Sequence, residues 1–491
     1  MFSRTPHDQH DHSPHDSDRH TGCLCHKPEI QSFTHRIEAA LSRRGFVAGI
    51  SASVASLGLF PSASIAQPAQ PARPILFTNF RLFDGTSEHL RDGLKLLVEG
   101  NKIKSLAGGN GPATDGAQTI DCGGRTLMPG LIDAHWHAIF AALPLMSLMS
   151  ADLGYVFLAA SAESERTLLR GFTTVRDVGG PAFALKQAID EGLVSGPRIY
   201  PSGAMITTTG GHGDLRPLMD LPRAAGGPVS QLEQTGANMI ADSADEVRLR
   251  VREQLLQGAS HIKLVGGGGV SSPRTSLDMT TFSEAELRAG VDTAADWNTY
   301  VTVHAYAPRT VQRAIHAGAL CIEHAHLMDE ETARLFAEKG TWLSTQPFLT
   351  DEDTGVLTGQ SRINQQRVFG GTDTAYKLAK SHHIKTAFGS DMLFSAKLAA
   401  RQGTMLTHLA RWYSNAEILK MATATNGALL RLSGPRNPYP GKIGVIEDGA
   451  YADLLLVDGN PLQNIALVAD PAKNFVVIMK DGKIYKNTLK A

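Results

Sequence analysis

Between residues 131 and 435, eight apolar runs that read as β-strands alternate with amphipathic stretches that read as helices: LIDAHWH, FTTVRDVG, PRIYPSG, HIKLVGG, YVTVHAY, CIEHAHL, WLSTQPF and IKTAFGSD. No other feature of the chain restricts its fold as much. Strands joined by helices must lie parallel, since antiparallel neighbours need only a short turn between them. Eight such units predict an α/β architecture, a (β/α)8 TIM barrel over 131–435. Start signals support the helices: Ser243 with Glu246 and Ser283 with Glu286 have capping-box spacing ahead of an apolar period.

The flanks have a different texture. In 67–130, ILFTNFRLFDG and LKLLVEGNKIKSLAG alternate apolar and polar residues and break at Asp-Gly and Glu-Gly pairs, which predicts antiparallel strands. Residues 436–491 repeat the pattern in KIGVIEDGAYADLLLVDGNP and NFVVIMKDGKIYKN. Both ends of the mature chain are therefore expected to pair into one small β-sandwich domain.

Residues 1–66 stand apart: seven of the nineteen histidines precede position 36, among Asp, Ser and Pro, with too little apolar surface to fold alone. A solvated leader and a metal-binding tract are both open readings. Arg43 and Arg44, a short stretch of small apolar residues, and Ser64-Ile65-Ala66 then predict a twin-arginine signal peptide, hence a bacterial periplasmic or secreted protein. That stretch is rich in Gly, Ala and Ser, which argues against a retained anchor, and no segment of the mature chain reads as a membrane span. Cleavage after Ala66 removes Cys23 and Cys25, leaving Cys122 and Cys321, which make no disulfide framework. With a formal net charge of -1, nothing global favours nucleic acid or an anionic membrane as partner.

Polar residues fall where such a barrel builds active sites. His135, His137, Asp177, Lys263, His304, His324, Gln346 and Asp391 stand at the C-terminal ends of their runs. A single His-x-His pair is more often a polar strand end than a metal site, but independent histidines have no reason to gather on one rim. Lys263 is the difficulty. A lone ammonium is almost never fully buried, and one about 4 Å from a divalent cation is repelled by about 8 kcal/mol at an effective dielectric of about 20. Neighbouring cations depress its pKa, and the neutral amine can then add carbon dioxide, releasing a proton and forming an anionic carbamate. His261, deeper on the same face, is expected to pack or hydrogen-bond rather than ligate.

These segments resemble the amidohydrolase superfamily. LMPGLIDAHWH is similar to its first-strand signature, HIKLV to its strand-four lysine, VTVHAY and CIEHA to its later histidines, and AFGSD to its final aspartate; GVIEDGAYADLLLVDGNP is similar to its flanking β-domain. The likeness runs in order along nearly the whole mature chain. It implies a carboxylated Lys263 bridging two divalent ions, with His135, His137 and Asp391 holding one and His304 and His324 the other. Zinc suits these ligands, though manganese or cobalt could take them. Catalytic roles follow for Lys263 and Asp391: a bridging water becomes hydroxide, and Asp391 carries its proton to the leaving amine. Family members often assemble, which implies a homo-oligomer.

Within the superfamily, TTTGGHGD and HAYAP resemble a branch of prolidase-like carboxypeptidases and ochratoxin-degrading amidohydrolases. That branch implies cleavage of an amide beside a free carboxylate, in a dipeptide or N-acyl amino acid such as ochratoxin A, which would yield ochratoxin alpha and phenylalanine. His212 and Tyr306 match the positions that bind the carboxylate, with Arg274 a further candidate and Asp177 and Gln346 as supports for the ligands or substrate. His212 capping its glycine-rich loop and Tyr306 packing at the barrel mouth are the bland alternatives. Competing activities are a cyclic-amide hydrolase resembling imidazolonepropionase and a phosphotriesterase-like hydrolase. An exported metal-binding protein is the non-enzymatic alternative.

Overall fold

A computed structural model describes residues 73–109, 116–221 and 226–489. The leader and export signal read over 1–66 lie outside the described residues. Six short strands come first: β1 (Ile75–Thr78), β2 (Arg81–Leu82), β3 (Leu94–Glu99), β4 (Lys102–Gly108), β5 (Gln118–Asp121) and β6 (Thr126–Pro129). They belong to two sheets. One has the order β4-β3-β1-β5. The other contains β2 and β6, and the chain returns to it at its end with β17 (Leu454–Val457), β18 (Phe475–Lys480) and β19 (Lys483–Asn487). Phe77, Leu96, Val98 and Ile103 from the first sheet share a core with Leu127, Leu454, Leu456 and Met479 from the second.

The expectation of antiparallel strands holds for β1 with β3, β3 with β4, and β17 with β6 and β18. It fails for β1 with β5 and β2 with β6, which are parallel. Alternation of apolar and polar residues identifies strands, but only the path between them sets direction. Here β4 and β5 both run parallel to β1, one through β3 and the other as its direct neighbour.

The middle of the chain holds β7 (Leu131–Trp136), β8 (Phe172–Asp177), β9 (Arg198–Pro201), β10 (Met205–Thr207), β11 (Asn238–Ile240), β12 (Ile262–Val265), β13 (Val301–Ala305), β14 (Cys321–His324), β15 (Trp342–Thr345) and β16 (Thr386–Phe388). Every pairing among them is parallel, in one arc β7-β8-β9 and another β11-β10-β12-β13-β14-β15-β16. The fold is α/β. Two hydrogen bonds link the arcs: the Ser260 N–H, just before β12, donates to the Pro201 carbonyl at 2.8 Å, and the Asp391 N–H, just after β16, donates to the His135 carbonyl at 2.9 Å. The eight expected runs all form strands; β10 and β11, which pair with each other, were not among them.

Strand alternation then sorts the side chains. Ile262, Leu264, Val301 and Val303 pack outward against Val247, Val251 and Leu287 of the helices Ala244–Leu256 and Glu284–Asp296. Each buried aliphatic side chain contributes about 1.5–3 kcal/mol. That anchoring turns Lys263, between Ile262 and Leu264, to the inner face, in register with Thr302. The helix starts obey their caps: Ser283 and Glu286 form a full capping box, while Ser243 accepts the Glu246 N–H and the Glu246 carboxylate accepts the Asp242 N–H. Among the described residues no helix is long and apolar enough to cross a membrane.

Candidate metal centre and active site

The ends of β7, β12, β13 and β14 bring His135, His137, Lys263, His304 and His324 to one cavity, with Asp391 arriving just after β16. The His304 and His324 rings are 4.4 Å apart, His135 and His324 4.9 Å, and His135 and His137 5.3 Å. One nitrogen or oxygen from each of His135, His324 and Asp391 lies within 4.8 Å of the others. Backbone strain collects here: His324, Ala325 and Asp391 all have positive φ, which non-glycine residues adopt at a cost. Gly389 is required by close approach, because a Cβ there would stand 2.3 Å from that of His135.

Each imidazole spends one nitrogen on an oxygen of the surrounding protein. His135 Nδ1 lies 2.7 Å from Glu323 Oε2, His137 Nδ1 2.9 Å from the Gly179 carbonyl, His304 Nε2 3.0 Å from the Gly268 carbonyl, and His324 Nδ1 2.7 Å from Gln346 Oε1. Those oxygens only accept, so each of these nitrogens carries the proton and the opposite nitrogen keeps its lone pair. Asp391 adds a carboxylate: its Oδ1 lies 3.3 Å from His135 Nε2 and 3.5 Å from His137 Nε2, and has no hydrogen-bond partner among the described residues. Four imidazole lone pairs, an unpartnered carboxylate oxygen and a buried amine are a donor set that divalent transition metals take.

Electrostatics favour the ligating form for most of this set, with His135 the exception. Burial holds His304 and His324 well below the usual imidazole range, with neighbouring positive groups adding to it. Burial alone would lower His135 too, but the Asp391 and Glu323 carboxylates outweigh it and raise the group. Burial works against ionised Asp391, yet the facing histidines hold it well below the carboxylate range. Lys263 is 1 % exposed, and burial pushes its amine down to about 8 against the opposing pull of Glu323 and Asp391. The depression expected from cations is already present from desolvation.

His212 and Tyr306 line the same cavity. The His212 ring stacks on His304 at 4.5 Å, and its Nδ1 lies 2.7 Å from Ser272 Oγ. The Tyr306 ring lies 4.7 Å from that of His324. Arg274 is not brought to the site: it is exposed, and its guanidinium donates to the Arg216 carbonyl at 3.0 Å. Ser271 and Ser272 of its loop line the cavity, but Arg274 itself does not. Asp177 accepts the Ala138 and Gly179 N–H groups at 2.6 and 3.2 Å, bracing the turns beside His137, and burial pushes its carboxyl up to about 7. His261 Nδ1 lies 3.0 Å from Ser260 Oγ, and its ring stacks on Tyr300 at 5.5 Å, the packing role expected of it.

Sequence reading passed over Glu323 and Arg176. Both are fully buried, and Arg176 Nη2 lies 2.5 Å from Glu323 Oε1, with Thr302 also donating to that oxygen. The signal was available: each is a charge inside an apolar run, the reasoning that singled out Lys263. The cavity is about 260 Å³, and away from the polar cluster its walls are mostly apolar, from Leu148 and Met149 to Phe348 and Phe394.

Residues 126–486 match the amidohydrolase family. Ochratoxinase of Aspergillus niger is 28% identical over 483 residues, covering 93% of this chain and 96% of that protein. Among solved structures, an amidohydrolase aligns with TM-score 0.78 and 34% identity over 85% of this chain and 100% of its own. A prolidase complexed with N-methylphosphonate-L-proline aligns with TM-score 0.77 and 33% identity over 84% and 100%.

Proposed function

The chain belongs to the amidohydrolase family and is a hydrolase of amide bonds, and from that premise we propose that it releases a free amino acid from dipeptides or N-acyl amino acids, in the manner of a carboxypeptidase. Ochratoxin A, split to ochratoxin alpha and phenylalanine, is one substrate of this class. The observation that carries the reading is the four imidazoles, each with one nitrogen spent on a protein oxygen and the other left for a ligand, around Lys263 and Asp391. His135, His137 and Asp391 would hold one divalent ion, His304 and His324 a second, and a carboxylated Lys263 would bridge them. Such ions, zinc in our reading, supply Lewis acidity and an acidified water at neutral pH.

The chain's own groups do the rest. Asp391 takes the proton of the attacking water and delivers it to the departing amine, the transfer its unpartnered Oδ1 is free to make. His212 and Tyr306 bind the substrate carboxylate and so fix the scissile carbonyl against the centre. The apolar walls exclude water around the acyl group. The two parallel arcs are read as one closed (β/α)8 barrel over 131–435, in which β9 and β10 make one bent strand. The flanking sheets, 67–130 with 436–491, form its β-sandwich partner.

A panel of dipeptides and N-acyl amino acids, each as free acid and as amide, run on protein of known metal content, tests the reading. Cleavage confined to free acids with about two ions per chain is expected. Equal cleavage of blocked and free substrates, or activity with a single ion, would overturn it. Arg43 and Arg44 support twin-arginine export to the periplasm, which their replacement by lysine should abolish. Light scattering on the mature protein tests the expected homo-oligomer.

A further inference from the structure

We propose that Asn238 marks a subsite for the side chain of the released amino acid, and that this subsite takes an aromatic side chain bearing an O–H or N–H donor, as in tyrosine or tryptophan. The inference rests on the carboxypeptidase-like reading and deepens it.

Asn238 opens β11 and lines the cavity, with 2 % of its surface exposed. Its Nδ2 donates to the Gly213 carbonyl, which fixes the amide: turned over, two acceptors would face each other. Oδ1 is then buried without a hydrogen-bond partner among the described residues. Most buried polar atoms are satisfied, and an acceptor left over in a binding cavity is one a ligand's donor can answer.

Its position says which part of the ligand that is. Asn238 is the register partner of Met205 across β10 and β11. Met205 in turn lies beside the centre, because a Cβ on Gly179 would meet Met205 Cγ at 2.3 Å and His137 Cε1 at 3.1 Å. The wall therefore runs from His137 through Met205 to Asn238. Gly213, which Asn238 grips, directly follows His212 in the chain. Carboxylate and side chain branch from one carbon in an amino acid, so a carboxylate held at His212 directs the side chain along this wall. Of the cavity residues nearest Asn238 in the chain, Thr235 gives its hydroxyl proton to the Leu232 carbonyl at 3.2 Å, while Ala237 and Leu232 are apolar like Met205 and Pro181. An aromatic body satisfies those residues, and a donor at its far edge satisfies Oδ1.

The test is kcat/KM for one acyl group joined to phenylalanine, tyrosine or O-methyl-tyrosine, the last filling tyrosine's space with no donor. Tyrosine should be preferred over both by about 3- to 10-fold, the worth of one neutral hydrogen bond. Asn238→Leu should bring the three within about 2-fold with metal content unchanged. The preference is a ratio within one protein, so any general loss of activity cancels. Equal rates for the three in the unaltered enzyme, or an undiminished preference in the variant, would overturn the subsite. Should the variant fail to fold, the O-methyl-tyrosine comparison in the unaltered enzyme decides. Cleavage of all three without preference removes this inference alone, whereas cleavage of none removes the carboxypeptidase-like reading with it.

Discussion

Glu323 Oε2 lies 2.7 Å from Nδ1 of His135, and both side chains are shut away from solvent. The carboxylate accepts the imidazole's proton and so holds the lone pair on Nε2, the nitrogen that faces Asp391. Arg176, 2.5 Å from the other Glu323 oxygen, neutralises the buried charge and helps hold its carboxyl well below the usual range despite burial. Glu323 is thus a positioning residue for His135.

Glu323→Gln should therefore lower metal affinity by about 10- to 100-fold, read by competition with a chelator. It also strands Arg176, at a cost of about 3–5 kcal/mol in stability. Pairing it with Arg176→Met removes both charges and should restore much of the stability without restoring metal affinity. Recovery of both together would assign the pair a structural role only.

Lys263→Ala should cost at least about 100-fold in activity and leave fewer than two ions per chain, because the bridge between the ions is gone. With its amine at about 8, roughly a tenth is neutral at pH 7 and available to carbon dioxide. A short carboxylic acid in the buffer should restore part of the activity by supplying the missing oxygens. Unchanged metal content measured by atomic absorption would count against the bridge.

Much of this site was legible because strand ends and residue types carry it. His135, His137, Lys263, His304, His324 and Asp391 sit at recognisable positions in periodic runs, and the parallel strands deliver them to one cavity. What the sequence concealed depends on chain paths and contacts between distant residues. Strand β11 is three residues long, too short for a periodic signal. Glu323 gains its meaning from His135 and Arg176, which lie 188 and 147 positions away. Arg274 looked like an anion binder by type alone, and only the turn of its loop sends it to the Arg216 carbonyl.

Asp84 gives a stability prediction away from the site. Burial works against its charge, but it accepts hydrogen bonds from the N–H and hydroxyl groups of Thr86 and Ser87, which together hold its carboxyl down at about 2. A folded-state value below the unfolded value of 3.8 means stability that is present above about pH 4 and lost as pH falls through about 2. Asp84→Asn should cost about 1–2 kcal/mol at neutral pH, discounted for partial exposure. Urea denaturation of both proteins at pH 7 and pH 2.5 should show the gap narrowing in acid; a constant gap would show that charge has no part in it.

The carboxylate contacts are open to the same kind of reasoning. Burial pushes the His212 imidazole down to about 4, so it is neutral where the enzyme would work, and it can hold an anion only as a hydrogen-bond donor. Ser272 Oγ already accepts the Gly213 N–H at 3.0 Å, so its own proton can go to His212 Nδ1, leaving the imidazole proton on Nε2. Hydrogen bonds to a charged acceptor contribute about 1.5–3 kcal/mol each, or about 10- to 150-fold. Tyr306→Phe and His212→Asn should each slow a free-acid substrate by that factor, and its amide much less, with metal content unchanged. Because a neutral His212 does not titrate between pH 6 and 9, the free-acid preference should be flat across that range. A preference that fell with a midpoint near 6.5, the ordinary imidazole value, would mean the carboxylate is held by a charged histidine and not by neutral His212.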